Sequence, residues 1–192
     1  MKPCLSRGIS TMFAFWHCFG VHAGETSAEI IMRKGREIEA NGGWTLWSFS
    51  GRTRRTLETW ASVIHGARPN RVLALCSRSR NAVDPKGTPA LAREFRCPGR
   101  GVWCLIPTSI KVPHPFGSRT SAAAFRVSRV LDPSGIRMPS RYEWLCIRDG
   151  EWRTDSVPTR GEYLMRPGNG TMLRQVAAVL ELQEPFIVEI RR

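Results

Sequence analysis

The sequence predicts a mixed α/β fold of the α+β kind, a central mixed sheet curving toward a β-barrel with two helices from the N-terminal half. Three observations lead there. The first 76 residues alternate strand-like and helix-like patterns, the second half holds short strand-like runs separated by Pro and Gly turns, and no apolar stretch reaches the length of a transmembrane helix. At 192 residues and 42% hydrophobic, the chain can bury about 70% of its unfolded surface, enough for one domain over residues 12–192.

The elements follow in order. Lys2 and Arg7 precede an apolar run from Ile9 to Val21 that admits two readings, a secretory leader or a strand. Trp16, His17 and three Phe favour a strand over Phe13–Phe19. Met12 is a second candidate start, which makes residues 1–11 a disordered extension. Glu25-Thr26-Ser27 supplies acidic and capping groups for a helix to about Ala40, with Ala28, Ile31, Gly35 and Ile38 as its apolar stripe and Asn41-Gly42-Gly43 as its stop. Trp44–Phe49 carries apolar residues on both faces and reads as an internal strand. After a turn, Leu57, Trp60, Ala61 and Ile64 recur at i, i+3, i+4 and i+7, the clearest helical stripe in the chain, closed by Gly66. Val72–Cys76 is a continuous apolar strand of the kind buried on both faces.

These five elements give connections long enough for parallel crossovers. Ser77–Arg100 then reads as a long, mobile basic loop with a helical turn near Leu91. Strand-like runs follow at Val102–Ile106, Ala122–Leu131, Tyr142–Ile147, Glu162–Met165 and Gln175–Ile190. Arg166-Pro167-Gly168-Asn169-Gly170-Thr171 lacks the Lys and Ser/Thr of a phosphate loop and reads as a turn.

Charge carries the functional reading. Of the net +13, the stretch from Arg52 to Arg129 supplies +12, fifteen basic residues less Glu58, Asp84 and Glu94. A one-signed field of that kind captures polyanions, which makes nucleic acid, RNA or modified-base DNA, the expected partner. The basic residues are twenty-five Arg against four Lys, and the planar guanidinium suits paired contacts to phosphate and stacking on bases. Codon bias in a GC-rich genome also favours Arg. The candidate nucleic-acid contacts are Arg78, Arg80, Lys86, Arg93, Arg96 and Arg100, with Trp47 and Trp103 as stacking faces and His114, between two prolines, as a base or phosphate contact.

Other chemistry is thinly supported. Cys76 ends a buried strand beside Arg78 and Arg80, but a phosphatase-type loop needs Arg where Ala82 stands, so Cys76 reads as a structural thiol. His17 and Cys18 are adjacent on a strand, point to opposite faces and cannot share a metal ion with His22. Six cysteines at irregular spacings suggest reduced thiols and a cytoplasmic protein, with a Cys97–Cys104 bridge as the alternative. No cofactor, metal or membrane partner is expected. An enzyme acting on a nucleotide or phosphorylated small molecule, using Cys76 or His114, is the second reading. A module whose basic loop folds on an acidic partner is the third.

The order of strand, helix and Trp-rich strand, then a Pro-broken basic loop and antiparallel strands including Ala124-Phe125-Arg126-Val127-Ser128-Arg129-Val130-Leu131-Asp132, resembles the PUA-like superfamily in its EVE and ASCH branches. That resemblance implies a mixed β-barrel that binds RNA or modified bases in an aromatic-lined cleft. It assigns no individual residue.

Overall fold

The computed structural model describes residues 12–79, 91–99, 101–113, 121–156, 161–173 and 175–192. Strand β1 (Met12–Phe19) sets the inner face, because its alternation turns Phe13, Phe15, His17 and Phe19 one way and Ala14 and Trp16 the other. Helix α1 (Ser27–Ala40) starts from a reciprocal capping box, Thr26 N–H donating to the Glu29 carboxylate at 2.7 Å and Glu29 N–H to the Thr26 hydroxyl at 3.3 Å. Its inner stripe departs from the sequence expectation. Ile30, Lys34 and Glu37 are buried, Ala28 is exposed, and Ile31 and Ile38 are only partly covered. The inward stripe holds an ion pair that apolar periodicity cannot register.

Strand β2 (Thr45–Arg52) leads into helix α2 (Arg54–Ala67), capped by the Thr53 hydroxyl at the Thr56 N–H. Leu57, Trp60 and Ile64 face inward as their spacing predicts. The helix runs past Gly66 to a left-handed cap at Arg68 (φ 47°), whose N–H bonds the Ile64 carbonyl at 3.0 Å. Strand β3 (Arg71–Arg78) is buried from Val72 to Cys76. Then come β4 (Glu94–Arg96), β5 (Cys104–Leu105), β6 (Ser121–Leu131), β7 (Arg141–Leu145), β8 (Trp152–Arg153), β9 (Tyr163–Pro167), β10 (Thr171–Met172) and β11 (Val176–Arg191). The helical turn expected near Leu91 is instead a β-bridge between Leu91 and Pro113.

Among the described residues these strands form one mixed sheet in the order β10-β7-β9-β1-β3-β11. Strand β6 lies along one edge of β11 and carries β2 beyond it, so β3 and β4 share the other edge, β3 beside the first half and β4 beside the last residues. Strands β1 and β3 are parallel neighbours, Met12 opposite Arg71 and Phe19 opposite Arg78. The parallel crossover that the connection lengths allow joins β1 to β3, while β2 lies at the far end, antiparallel to β6. It is an edge strand rather than the internal one its composition suggests, yet Leu46, Trp47 and Phe49 are all buried.

Curvature explains this. Phe15 and Phe49 both pack on Phe125, at ring-centroid distances of 5.0 and 4.4 Å, so the sheet folds its inner face around one aromatic core. No backbone ladder joins β2 to β9 among the described residues, and the sheet stays an open curl rather than a barrel. No helix among them is long and apolar enough to cross a membrane.

Trp60 is 1% exposed and touches Phe15 edge-on at 5.3 Å, with Phe49 at 6.5 Å. Trp60→Ala is expected to lower unfolding free energy by about 3–5 kcal/mol. Urea unfolding checks this, and a midpoint within error of wild type would contradict the assignment of Trp60 to the core.

Candidate functional site

A cleft of about 150 Å³ lies between the carboxyl end of β1 and Trp47–Phe49 of β2, walled by Phe19, Trp47 and Phe49 and lined by His17, His22, Glu25, Arg33, Lys34 and Glu162. Its base is a buried polar chain. The Trp47 indole N–H donates to His17 Nε2 at 3.0 Å, and His17 Nδ1 donates to Glu162 Oε1 at 3.0 Å. An indole can only donate, so His17 Nε2 must accept, which fixes the Nδ1–H tautomer. Both imidazole nitrogens are thereby occupied.

Arg52 joins the chain from the end of β2. Its Nη2 donates to the Glu162 backbone carbonyl, its Nε stands 3.6 Å from Glu162 Oε2, and its guanidinium lies over the Tyr163 ring at 4.8 Å. Gly161 makes this approach feasible. It holds φ +92°, and a Cβ there would collide with the Arg52 guanidinium.

The cations of the cleft wall are already engaged. Arg33 holds Glu25 with two bonds of 2.7 Å and Glu37 with a third. Lys34 Nζ donates to Glu37 Oε2 at 2.7 Å and to the Leu46 and Lys111 carbonyls at 2.5 and 3.0 Å. Burial pushes the Lys34 ammonium down to about 8, against the opposing pull of Glu37. Glu37 is also pushed up by burial, but Lys34, Thr45 and Arg33 together hold it below the usual carboxylate range.

A second feature is a platform at the carboxyl end of β11. The Arg96 and Arg191 guanidinium groups pack on the Trp103 ring, at 4.6 and 4.1 Å from its centroid. Glu189 anchors Arg96 Nε at 2.7 Å and approaches Arg54 Nε at 3.4 Å, while Glu94 anchors Arg191 Nε at 2.5 Å. The closest hydrogen bonds of Arg54, Arg96 and Arg191 all run through Nε. Arg55 and Arg93 stand exposed beside them, and Val102 and Leu105 are 83% and 78% exposed.

The structure divides the sequence-predicted residues. Arg96 and Trp103 come together on the platform and Arg93 is exposed next to them in the chain, its backbone N–H bonded to the Arg191 carbonyl, whereas Arg78 is exposed at the carboxyl end of β3, beside the opposite half of β11. Trp47 is 4% exposed and is a wall of the cleft, so it is not an open stacking face. Arg80, Lys86, Arg100 and His114 lie outside the described residues. Cys76 is wholly buried with its thiol pushed far up by burial, as a structural thiol should be. Cys18 bonds Ser77 Oγ at 3.1 Å on the face opposite His17. Cys97 and Cys104 are free thiols, so no bridge joins them, and Cys76 and Cys146 are free as well. No group of three or more His, Cys, Asp or Glu among the described residues could hold a metal ion.

Sequence reasoning missed Glu162, Arg52, Arg54 and Arg191. Glu162 and His17 are 145 residues apart, and no local pattern marks the pair. No family model, curated protein or solved structure matches this chain.

Two outcomes follow. In the native protein Cys76 should resist alkylation at neutral pH while the exposed Cys97 and Cys104 react, measured by mass spectrometry of the labelled chain. Preferential labelling of Cys76 would overturn its structural role. For Lys34, the unfolded chain keeps a proton between about pH 8 and 10.5 that the folded chain has released, so this group makes stability rise with pH across that window. Lys34→Met should flatten the rise, read as denaturant midpoint against pH for both proteins, and parallel curves would refute it.

Proposed function

We propose that the protein binds nucleic acid, gripping the backbone on the Arg platform and receiving a base in the aromatic-walled cleft. The observation that carries this reading is Trp103 packed against Arg96 and Arg191 on a face whose acids are already bound to arginine. Those acids are contacted through Nε, and the same guanidinium groups carry further N–H donors suited to phosphate oxygens. Arg55 and Arg93 add charge with no acid partner among the described residues.

The platform and the cleft meet in the chain. Arg52 contacts Glu162 in the cleft, and Arg54, two residues on, contacts Glu189 on the platform. Two residues span at most about 7 Å of backbone. A backbone tracked across the platform would carry a base toward the cleft, whose walls are aromatic. The resemblance to the PUA-like superfamily is consistent with such a division of labour.

The test is binding of fluorescent single-stranded DNA and RNA across a salt series. Replacing Arg55 and Arg93 together with Ala should weaken every sequence similarly and reduce the salt slope by about 0.7–0.9 for each phosphate that is no longer neutralised. Trp103→Ala should cost about 1–3 kcal/mol of single-strand affinity. Arg78→Ala, at the other end of β11, should change neither. Absence of binding to either polymer at low salt would dispose of the proposal, and a fall in affinity through Arg78 alone would move the interface to the carboxyl end of β3.

A further inference from the structure

From the strand pairing, which puts the platform residues on one face of the sheet, we infer that the polymer bound there is single-stranded, its unpaired bases laid against that face. This rests on the reading of the platform as a nucleic-acid surface and names which form of nucleic acid it takes. Between β11 and β4, Glu189 stands opposite Arg96 and Arg191 opposite Glu94, and between β4 and β5, Glu94 stands opposite Leu105. Cross-strand partners project to the same side of a sheet. Arg191, Glu94 and Leu105 therefore form one row, and Glu189 and Arg96 the next, with the Trp103 ring against Arg96. The intervening Ile190 and Phe95 turn to the other side and pack in the cluster that holds Leu46 and Val188.

The outward face is thus part cationic and part apolar, and both parts are open. Leu105 is 78% exposed, the Arg191 side chain is half exposed, and β5 is the last strand on this side of the sheet among the described residues. Phosphate suits the arginines but not Leu105, because covering an apolar side chain with a charged group strips water from the charge without replacing it. A base suits both. Its flat face covers Leu105, and it stacks equally on the plane of a guanidinium that Trp103 and a carboxylate hold in place. In a duplex those base faces are already stacked on one another, so only an unpaired strand can present them. Charge alone argues the other way: a duplex carries one phosphate per about 1.7 Å of axis against about 3.4 Å for each strand, so a surface that met phosphate only would prefer the duplex. Preference for the single strand therefore isolates the contribution of the bases.

The experiment measures fluorescence anisotropy of the full chain with a labelled single strand, the same strand annealed to its complement, and an abasic strand of the same length, all at one low salt concentration. The intact single strand should bind about tenfold or more tightly than either the duplex or the abasic strand. Leu105→Ser should weaken the single strand about threefold or more and leave the duplex unchanged. The abasic strand tests the same contact on the unaltered protein, so a misfolded variant would not leave the question open. Equal affinity for intact and abasic strands, or a duplex bound as tightly as the single strand, would overturn the inference and leave the platform a phosphate surface. A Leu105→Ser protein that keeps the full preference would overturn it as well. If Leu105→Ser instead turns a dimer into a monomer in sedimentation, the face is a contact between copies and the inference falls. Failure of all three polymers to bind would remove the nucleic-acid reading itself.

Discussion

The chain from Trp47 through His17 to Glu162 ties together parts of a sheet that its backbone leaves apart. Strands β1 and β2 are separated in the sheet by β3, β11 and β6, yet their side chains meet at 3.0 Å. A curl of this kind is driven by burial of Phe15, Phe49, Phe125 and Trp60 in one cluster, which is non-directional and sets no particular register. The hydrogen bonds set it. His17 must present an acceptor to Trp47 and a donor to Glu162, and Arg52 must reach the Glu162 backbone, so the approach of β2 to the start of β9 is specified atom by atom. Where a barrel would close with a ladder of backbone bonds, this protein closes with side chains, and side chains leave room for a cleft.

The same economy governs charge. A chain with net +13 must hold its arginines together against mutual repulsion, and it does so by placing acids at the junctions. Glu189 sits between Arg54 and Arg96, Glu181 between Arg71 and Arg129, and Glu37 between Arg33 and Lys34. Each acid neutralises one cation's worth of charge but orients two, which leaves excess positive charge fixed in place. The more exposed of these pairs, such as Arg129 with Glu181, add little stability. Their effect is to aim guanidinium groups, and the platform around Trp103 is the clearest instance.

Legibility in the sequence tracks how local the cause was. Helix α2 was readable because Leu57, Trp60 and Ile64 lie on one stripe, and β3 because Val72–Cys76 is an unbroken apolar run. The inward stripe of α1 was unreadable from apolar spacing, since Lys34 and Glu37 are buried through partners on β2 and at Lys111, well beyond the helix. Strand β2 misled for a related reason: residues apolar on both faces argue for an internal strand, whereas here α1 and the curled sheet cover an edge. The charge imbalance raised the expectation of a polyanion partner, but gave no sign that Arg78 and Arg93 lie beside opposite halves of β11. Glu162, an acid between Gly161 and a strand, carried no signal until the fold brought His17 to it.

The cleft and the platform differ in what holds their cations. On the cleft wall Arg33 and Lys34 are locked onto carboxylates and carbonyls, at the cost of burying Lys34 in surroundings that push its ammonium toward deprotonation. On the platform Arg96 and Arg191 are each held by one carboxylate through Nε and pack on Trp103. The short connection from Arg52 to Arg54 makes the two environments neighbours in the chain without merging them: Arg52 contacts Glu162, and Arg54, at the first turn of α2, contacts Glu189.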